Sequence, residues 1–366
     1  MLLATPDFPP ARGGIQMLLH GLAKSLPDVE LRVVTPAGLD AQAFDARQPF
    51  EVVRVPRVAV HRGVIAALNL ATIREGRAFG PDLVISGHIV TSPGVRAVGR
   101  PWVQYLYAKE IGARAGLARR AVRAADAAIA ISEHTRQLAL QLGAPAARLH
   151  VVPPGVDLPR DRTRSRVAHP RPTVLTVARL EDRYKGCDTL IRALPLVRAS
   201  GPRAELAVVG NGPLRPWLER LAHANRVADV VRFLGDVSDA ERDGWFDRSA
   251  VFAMPSRLPA GGQGGEGFGI VYLEASARGV PVVAGNVGGA VDAVQNQVTG
   301  LLVDPRNHVA VADALTRLLV DPALHRRIAD AGPAWADRFA WDGIAARVRE
   351  ILVAVIEGRA ARARHG

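Results

Sequence analysis

With 366 residues the chain is longer than one hydrophobic core usually supports, and its 48% apolar content is ample for two. No run of eighteen apolar residues and no basic leader ahead of an apolar stretch occurs, which argues against a membrane span and a signal peptide and sets a cytoplasmic expectation. The formal charge of +12 is almost wholly arginine, since lysine stands only at 24, 109 and 185. It asks for anionic partners, while the single Cys187 excludes an internal disulfide.

Short apolar runs alternate with amphipathic helices from the first residue. Segments 1–4, 31–34, 83–85, 102–106 and 127–131 read as strands of one parallel α/β sheet. Segments 173–177, 206–209, 231–234, 251–253, 281–284 and 301–303 read as the strands of a second. Between the two series Pro153, Pro154 and Gly155 lead into an arginine-rich polar stretch ending near Pro172, a linker with its hinge at 155–170. The expected organisation is a domain at 1–160, a domain at 161–340, and a returning amphipathic helix with a frayed basic tail at 341–366. Two doubly wound domains of this kind carry ligands at the carboxyl ends of their strands.

The motifs fall at those ends. Gly13 and Gly14 follow the first strand and precede a helix, so their amides can cap a phosphate. Arg62, Arg74 and Arg77 lie among Val64, Ile65, Leu68 and Leu70, and Arg114, Arg119, Arg120 and Arg123 crowd around Leu117. Each cluster reads equally as a solvated helix face or as a face for anionic lipid headgroups. Arg179 closes the first strand of the second series and Lys185 follows six residues later, two fixed cations suited to the charge of a departing diphosphate. Gly210, Asn211 and Gly212 resemble a dinucleotide turn only superficially, because the three-glycine spacing is absent.

The richest stretch runs from Gly265 to Glu274. Glycines at 265, 267 and 269 let the backbone approach a ligand, and the helix that follows aims free N–H groups and its positive dipole end at anionic oxygens. Glu266 sits in the turn, and Glu274 lies about two helical turns further on the same face, so two carboxylates can accept hydroxyls of one elongated ligand. A lone pair of glutamates is more often a solvated surface; the surrounding glycines turn this pair toward function. Lys185 and Glu266 are both expected to face solvent from their loops.

Arg179 with Lys185, the stretch from Glu266 to Glu274, the Gly13–Gly14 loop and the returning helix together resemble the family 4 retaining glycosyltransferases, which have the two-Rossmann GT-B fold. The resemblance covers nearly the whole chain. Residues 7–16 and 266–275 look most like the bacterial phosphatidyl-inositol mannosyltransferases that use GDP-mannose. The resemblance implies that Glu266 holds hexose hydroxyls, Glu274 the ribose, and Arg179 and Lys185 the diphosphate. The amides of Gly267, Phe268, Gly269 and Ile270 then meet phosphate and sugar, and Gly235, Asp236 and Val237 lie against the base. The family histidine after the fourth strand of the first domain is absent; Tyr107 stands in its place, and His88 at the end of the preceding strand is either its substitute or a buried structural histidine.

The expectation is therefore a metal-independent, retaining transfer of a hexose from a nucleotide-sugar donor, with mannose from GDP-mannose favoured, to a hydroxyl of a lipid-linked or polyol acceptor at the inner membrane face. No cofactor and no nucleic acid is implied. A transferase using a UDP-sugar or other donor in secondary metabolism or capsule synthesis keeps the same fold. So does a non-catalytic nucleotide-binding subunit, against which the intact acid and cation pairs argue.

Overall fold

The computed structural model describes residues 1–56, 61–159, 171–259 and 264–365. The expected boundary at 160/161 and most of the hinge at 155–170 lie outside the described residues, as does the side chain of Arg62. The chain divides into one unit of Met1–Gly155 with Trp341–Gly366, and a second of Val156–Ala340.

The first unit is built on a seven-stranded parallel sheet: β1 (Leu2–Ala4), β2 (Arg32–Pro36), β3 (Glu51–Val55), β4 (Val84–Ser86), β5 (Trp102–Leu106), β6 (Ala127–Ala130) and β7 (Leu149–Val151). Their spatial order is β3-β2-β1-β4-β5-β6-β7. The middle strands are buried on both faces, which is why they are unbroken apolar runs such as Leu2, Leu3 and Ala4. β3 and β7 escape the sequence reading. They are the two edges of the sheet, and their half-exposed positions admit Arg54 and His150 where a central strand would be apolar.

The helix Trp341–His365 belongs to this first unit. Trp341 fills the space over Gly21 and Gly155, where a Cβ would come within 2.0 and 2.4 Å of its ring. Further along, Arg347 donates to Val151 O at 3.1 Å and Arg359 pairs with Asp126 at 3.2 Å.

The second unit holds a six-stranded parallel sheet: β8 (Thr173–Val177), β9 (Glu205–Val209), β10 (Val231–Gly235), β11 (Val251–Met254), β12 (Val282–Gly285) and β13 (Gly300–Val303), in the order β10-β9-β8-β11-β12-β13. Its strand series matches the one read from the sequence. The chain enters and leaves this unit side by side, Val156 N donating to Phe339 O at 2.9 Å.

Each sheet reverses its strand order once, between β1 and β4 in the first unit and between β8 and β11 in the second. Adjacent strands there send their following loops in opposite directions, which opens a crevice at their carboxyl ends.

Candidate functional site

In the second unit the crevice lies between the loops after β8 and β11. Beyond β8, Ala178 and Leu180 are buried and Arg179 turns outward, 57% exposed and 3.6 Å from Glu181. Gly210 and Gly212 support this segment from the next loop. They take φ of +116° and +153°, and a Cβ on either would lie within about 2.5 Å of the carbonyl oxygens of Ala178 and Leu180. This glycine turn therefore serves close backbone packing, and Leu180 N donates to Asn211 O at 2.8 Å across it.

Lys185 ends a single 3-10 turn, Arg183–Lys185. Gly186 follows at φ +78°, where any Cβ would strike Pro255 O at 2.2 Å, so glycine is what lets the β8 loop lie against the β11 loop. Across that contact Lys185 Nζ meets Glu266 Oε2 at 2.5 Å. The expectation that these two side chains face solvent is corrected: they are only 19% and 12% exposed, because opposite charges in a poorly hydrated crevice satisfy each other. Burial opposes the lysine charge, but Glu266 and the adjoining Tyr184 outweigh it and carry the ammonium above the ordinary lysine range. Arg179 pulls in the other direction, which places its charge within electrostatic reach of Lys185.

The turn beyond Glu266 is held from behind. Gly289 N donates to Glu266 O at 2.9 Å, and a Cβ at 289 would lie 2.0 Å from Gly267 O. Phe268 is buried against Phe339, and Gly269, at φ +92°, opens the helix Ile270–Ala277 without a side-chain cap. Tyr272 locks that helix to β11 by donating to Met254 O at 2.7 Å. Glu274, one side of this helix, is buried with its Oε1 3.7 Å from Arg242. Burial pushes its carboxyl above the usual range while Arg242 and Arg278 pull it back.

Arg242 was not singled out in the sequence. It sits on the helix Asp239–Arg248, whose capping box of Ser238 and Glu241 closes the turn carrying Asp236 and Val237. Only the fold brings it to Glu274, so no sequence spacing announces it. Its guanidinium also meets Asp239 and Asp243 on the same helix, at 3.3 and 3.2 Å.

In the first unit Gly13 caps the helix Gly14–Lys24 with no side-chain cap, and Gln16 on that helix donates to Asp7 Oδ1 at 3.0 Å. Tyr107 follows β5, but its hydroxyl is buried without a partner and stacks beside Tyr105. His88 follows β4 and keeps 17% of its side chain exposed, with Nδ1 3.0 Å from Glu110 Oε2. Arg179, Lys185 and Glu266 are thus gathered at one crevice with the Gly267–Ile270 turn, Glu274 meets Arg242 on the helix that follows Asp236 and Val237, and Gly13, Gly14, His88 and Tyr107 lie in the other unit.

Among the described residues no three His, Cys, Asp or Glu side chains gather to hold a metal ion, and no helix is long and apolar enough to cross a membrane.

Residues 158–335 match a family model described as glycosyl transferases group 1, and residues 12–160 one described as Glycosyltransferase Family 4. A GDP-mannose-dependent alpha-(1-6)-phosphatidylinositol monomannoside mannosyltransferase of Mycobacterium tuberculosis is 37% identical over 385 residues, spanning 96% of this chain and 97% of that protein. A monoacylated-substrate counterpart from Corynebacterium glutamicum is 32% identical over 378 residues, with 96% and 97% covered. Among solved structures, Anabaena Alr3699/HepE in complex with UDP and glucose superposes with a TM-score of 0.78 at 23% identity, covering 96% of this chain and 98% of that one. The likeness shows the fold, the paired Rossmann-like GT-B architecture. The chain belongs to the family 4, group 1 glycosyltransferases.

Proposed function

We propose that this glycosyltransferase moves mannose from GDP-mannose, with retention, to a hydroxyl of a lipid-linked or polyol acceptor. The observation that carries the reading is the closed contact of Lys185 with Glu266 beside Arg179, at the reversal point of the second sheet. The near full-length likeness to GDP-mannose-dependent mannosyltransferases supports the donor and the lipid character of the acceptor.

In this reading Arg179 and Lys185 hold the diphosphate and neutralise the charge that grows as the bond from C1 to the phosphate oxygen breaks. They do so without a metal ion. Glu266 shares its carboxylate between Lys185 and the hexose hydroxyls, while Glu274, held by Arg242, takes the ribose. The amides of Gly267, Phe268, Gly269 and Ile270 meet phosphate and sugar, and Asp236 and Val237 the base; Gly13 and Gly14, at the start of a helix in the first unit, are suited to cap a phosphate. A β-phosphate oxygen takes the acceptor hydroxyl proton as the new bond to C1 forms on the same face.

The helix Ala115–Ala124 buries Ala118, Ala121 and Val122 and exposes Arg119, Arg120 and Arg123, a basic face suited to anionic headgroups at the cytoplasmic membrane surface.

A thermal-shift panel of GDP, UDP and ADP tests the donor. The favoured nucleotide at 100 times its dissociation constant adds about 2.7 kcal/mol of stability. Preference for UDP would move the reading to a UDP-sugar transferase, and a stabilising nucleotide with no release from its sugar, whatever the acceptor, would leave a non-catalytic subunit.

A further inference from the structure

At the carboxyl ends of β4 and β5 a buried acid and an imidazole meet. Glu110, 5% exposed, lies in the first turn of the helix Ala108–Ala113. Its Oε1 accepts from Tyr107 N at 3.1 Å; its Oε2 accepts from Ile89 N at 2.9 Å and lies 3.0 Å from His88 Nδ1. The same Nδ1 accepts from Val90 N at 3.2 Å.

A ring nitrogen that accepts an N–H presents its lone pair and carries no proton of its own. Nδ1 has one lone pair, which Val90 N–H and Glu110 then share in a three-centre bond, the hydrogen between Nδ1 and Oε2 belonging to the carboxyl group and the ring hydrogen sitting on Nε2. That nitrogen has no hydrogen-bond partner among the described residues, on a ring that still reaches solvent. The charges around the pair agree. Burial and Arg114 lower His88 to about 4, and burial, reinforced by Asp7, raises Glu110 well above the carboxylate range against the pull of its two backbone donors. Tyr107, which also faces Glu110, is itself held neutral, burial raising its hydroxyl well above the ordinary tyrosine range.

We propose that Glu110 is a positioning residue that keeps its proton and fixes His88 as the neutral Nε2–H tautomer, so that His88 meets substrate as a hydrogen-bond donor to a phosphoryl or hydroxyl oxygen and not as a base. The substrate half of this rests on the proposed function; the tautomer does not. It fits a reaction in which the departing phosphate takes the acceptor proton, because a second base at His88 has no proton to remove.

The test uses the full chain labelled with 15N-histidine, the His88 signals being those lost in His88→Gln. Between about pH 5 and 8 the wild type should show a protonated Nε2 and an unprotonated Nδ1 throughout. Glu110→Gln, whose amide still donates to Nδ1, should keep that pattern and at least a third of kcat. Glu110→Ala should mix the tautomers, let His88 titrate within this range, and lower kcat about tenfold at little-changed KM, a smaller loss than removing a donor outright. An Nδ1–H pattern or an imidazolium in the wild type would overturn the proposal, as would Glu110→Ala matching the wild type in both readouts. If Glu110→Ala fails to fold, the wild type and Glu110→Gln still decide the tautomer. Absence of turnover in the wild type overturns the functional reading alone, since the tautomer is read without substrate.

Discussion

At the scale of single residues the Lys185–Glu266 contact sets a test in which activity and stability separate. Lys185→Met leaves a carboxylate nearly buried and unpaired, and Glu266→Gln leaves an ammonium in the same position. Each single variant should lose about 3 kcal/mol of stability, and the double variant should regain more than half of it, because the pair was satisfying its own desolvation. Turnover should fall by about 10²-fold or more in all three, since the cation and the hydroxyl acceptor are needed whether or not they balance each other. Melting temperatures beside kcat/KM decide it, and recovered activity in the double variant would contradict the assignment. His88 gives a pH signature. Its folded pKa, about 4, lies below the ordinary 6.5, so on acidification the unfolded chain binds a proton that the folded chain refuses. Stability of the wild type relative to His88→Gln should therefore decline by about 3 kcal/mol as pH falls from 6.5 to 4 and level off below that. Glu110 runs the other way, its raised pKa contributing stability at low pH that is lost as pH rises above 4.5. Denaturation midpoints of both proteins across this window give the difference.

At the scale of elements, the glycines divide into those that fit backbone against backbone and those that do not. Gly289→Ala puts a methyl group 2.0 Å from Gly267 O, and neither partner is a flexible side chain. It should cost about 2 kcal/mol or more and weaken nucleotide binding, because the displaced turn is the one that carries Glu266. Gly14→Ala meets nothing within 4 Å, so its melting temperature should stay within a degree or two of wild type, about 0.5 kcal/mol. Equal destabilisation of the two would mean that the packing around Gly289 is looser than described. The same scale shows what the sequence could disclose. Central strands were readable because burial on both faces leaves only apolar residues; the edges β3 and β7 were not, because Glu51, Arg54 and His150 interrupt the pattern where one side meets water. Glu266 was readable through the glycines at 265, 267 and 269, and Lys185 through its spacing from Arg179 in a chain with only three lysines. Arg242 and Glu110 were not, because one acquires its role from a helix 32 residues away in sequence and the other looks like any surface acid until the fold buries it.

At the scale of the whole molecule, the first unit is assembled from two stretches of chain separated by the entire second unit. Trp341 joins them, its ring lying where side chains at Gly21 and Gly155 would otherwise stand. Trp341→Ala should destabilise the first unit by about 3 kcal/mol, and calorimetry should show its transition moving away from that of the second unit. A single unshifted transition would speak against that packing. The arrangement also imposes an order on biosynthesis. Residues before Gly155 leave the ribosome early but must wait for 185 further residues before their covering helix is made, roughly ten to forty seconds at about 5–20 residues per second. During that interval the backbone at Gly21 and Gly155 stands uncovered on the nascent polypeptide, so the first unit can close only after the whole of the second has been made.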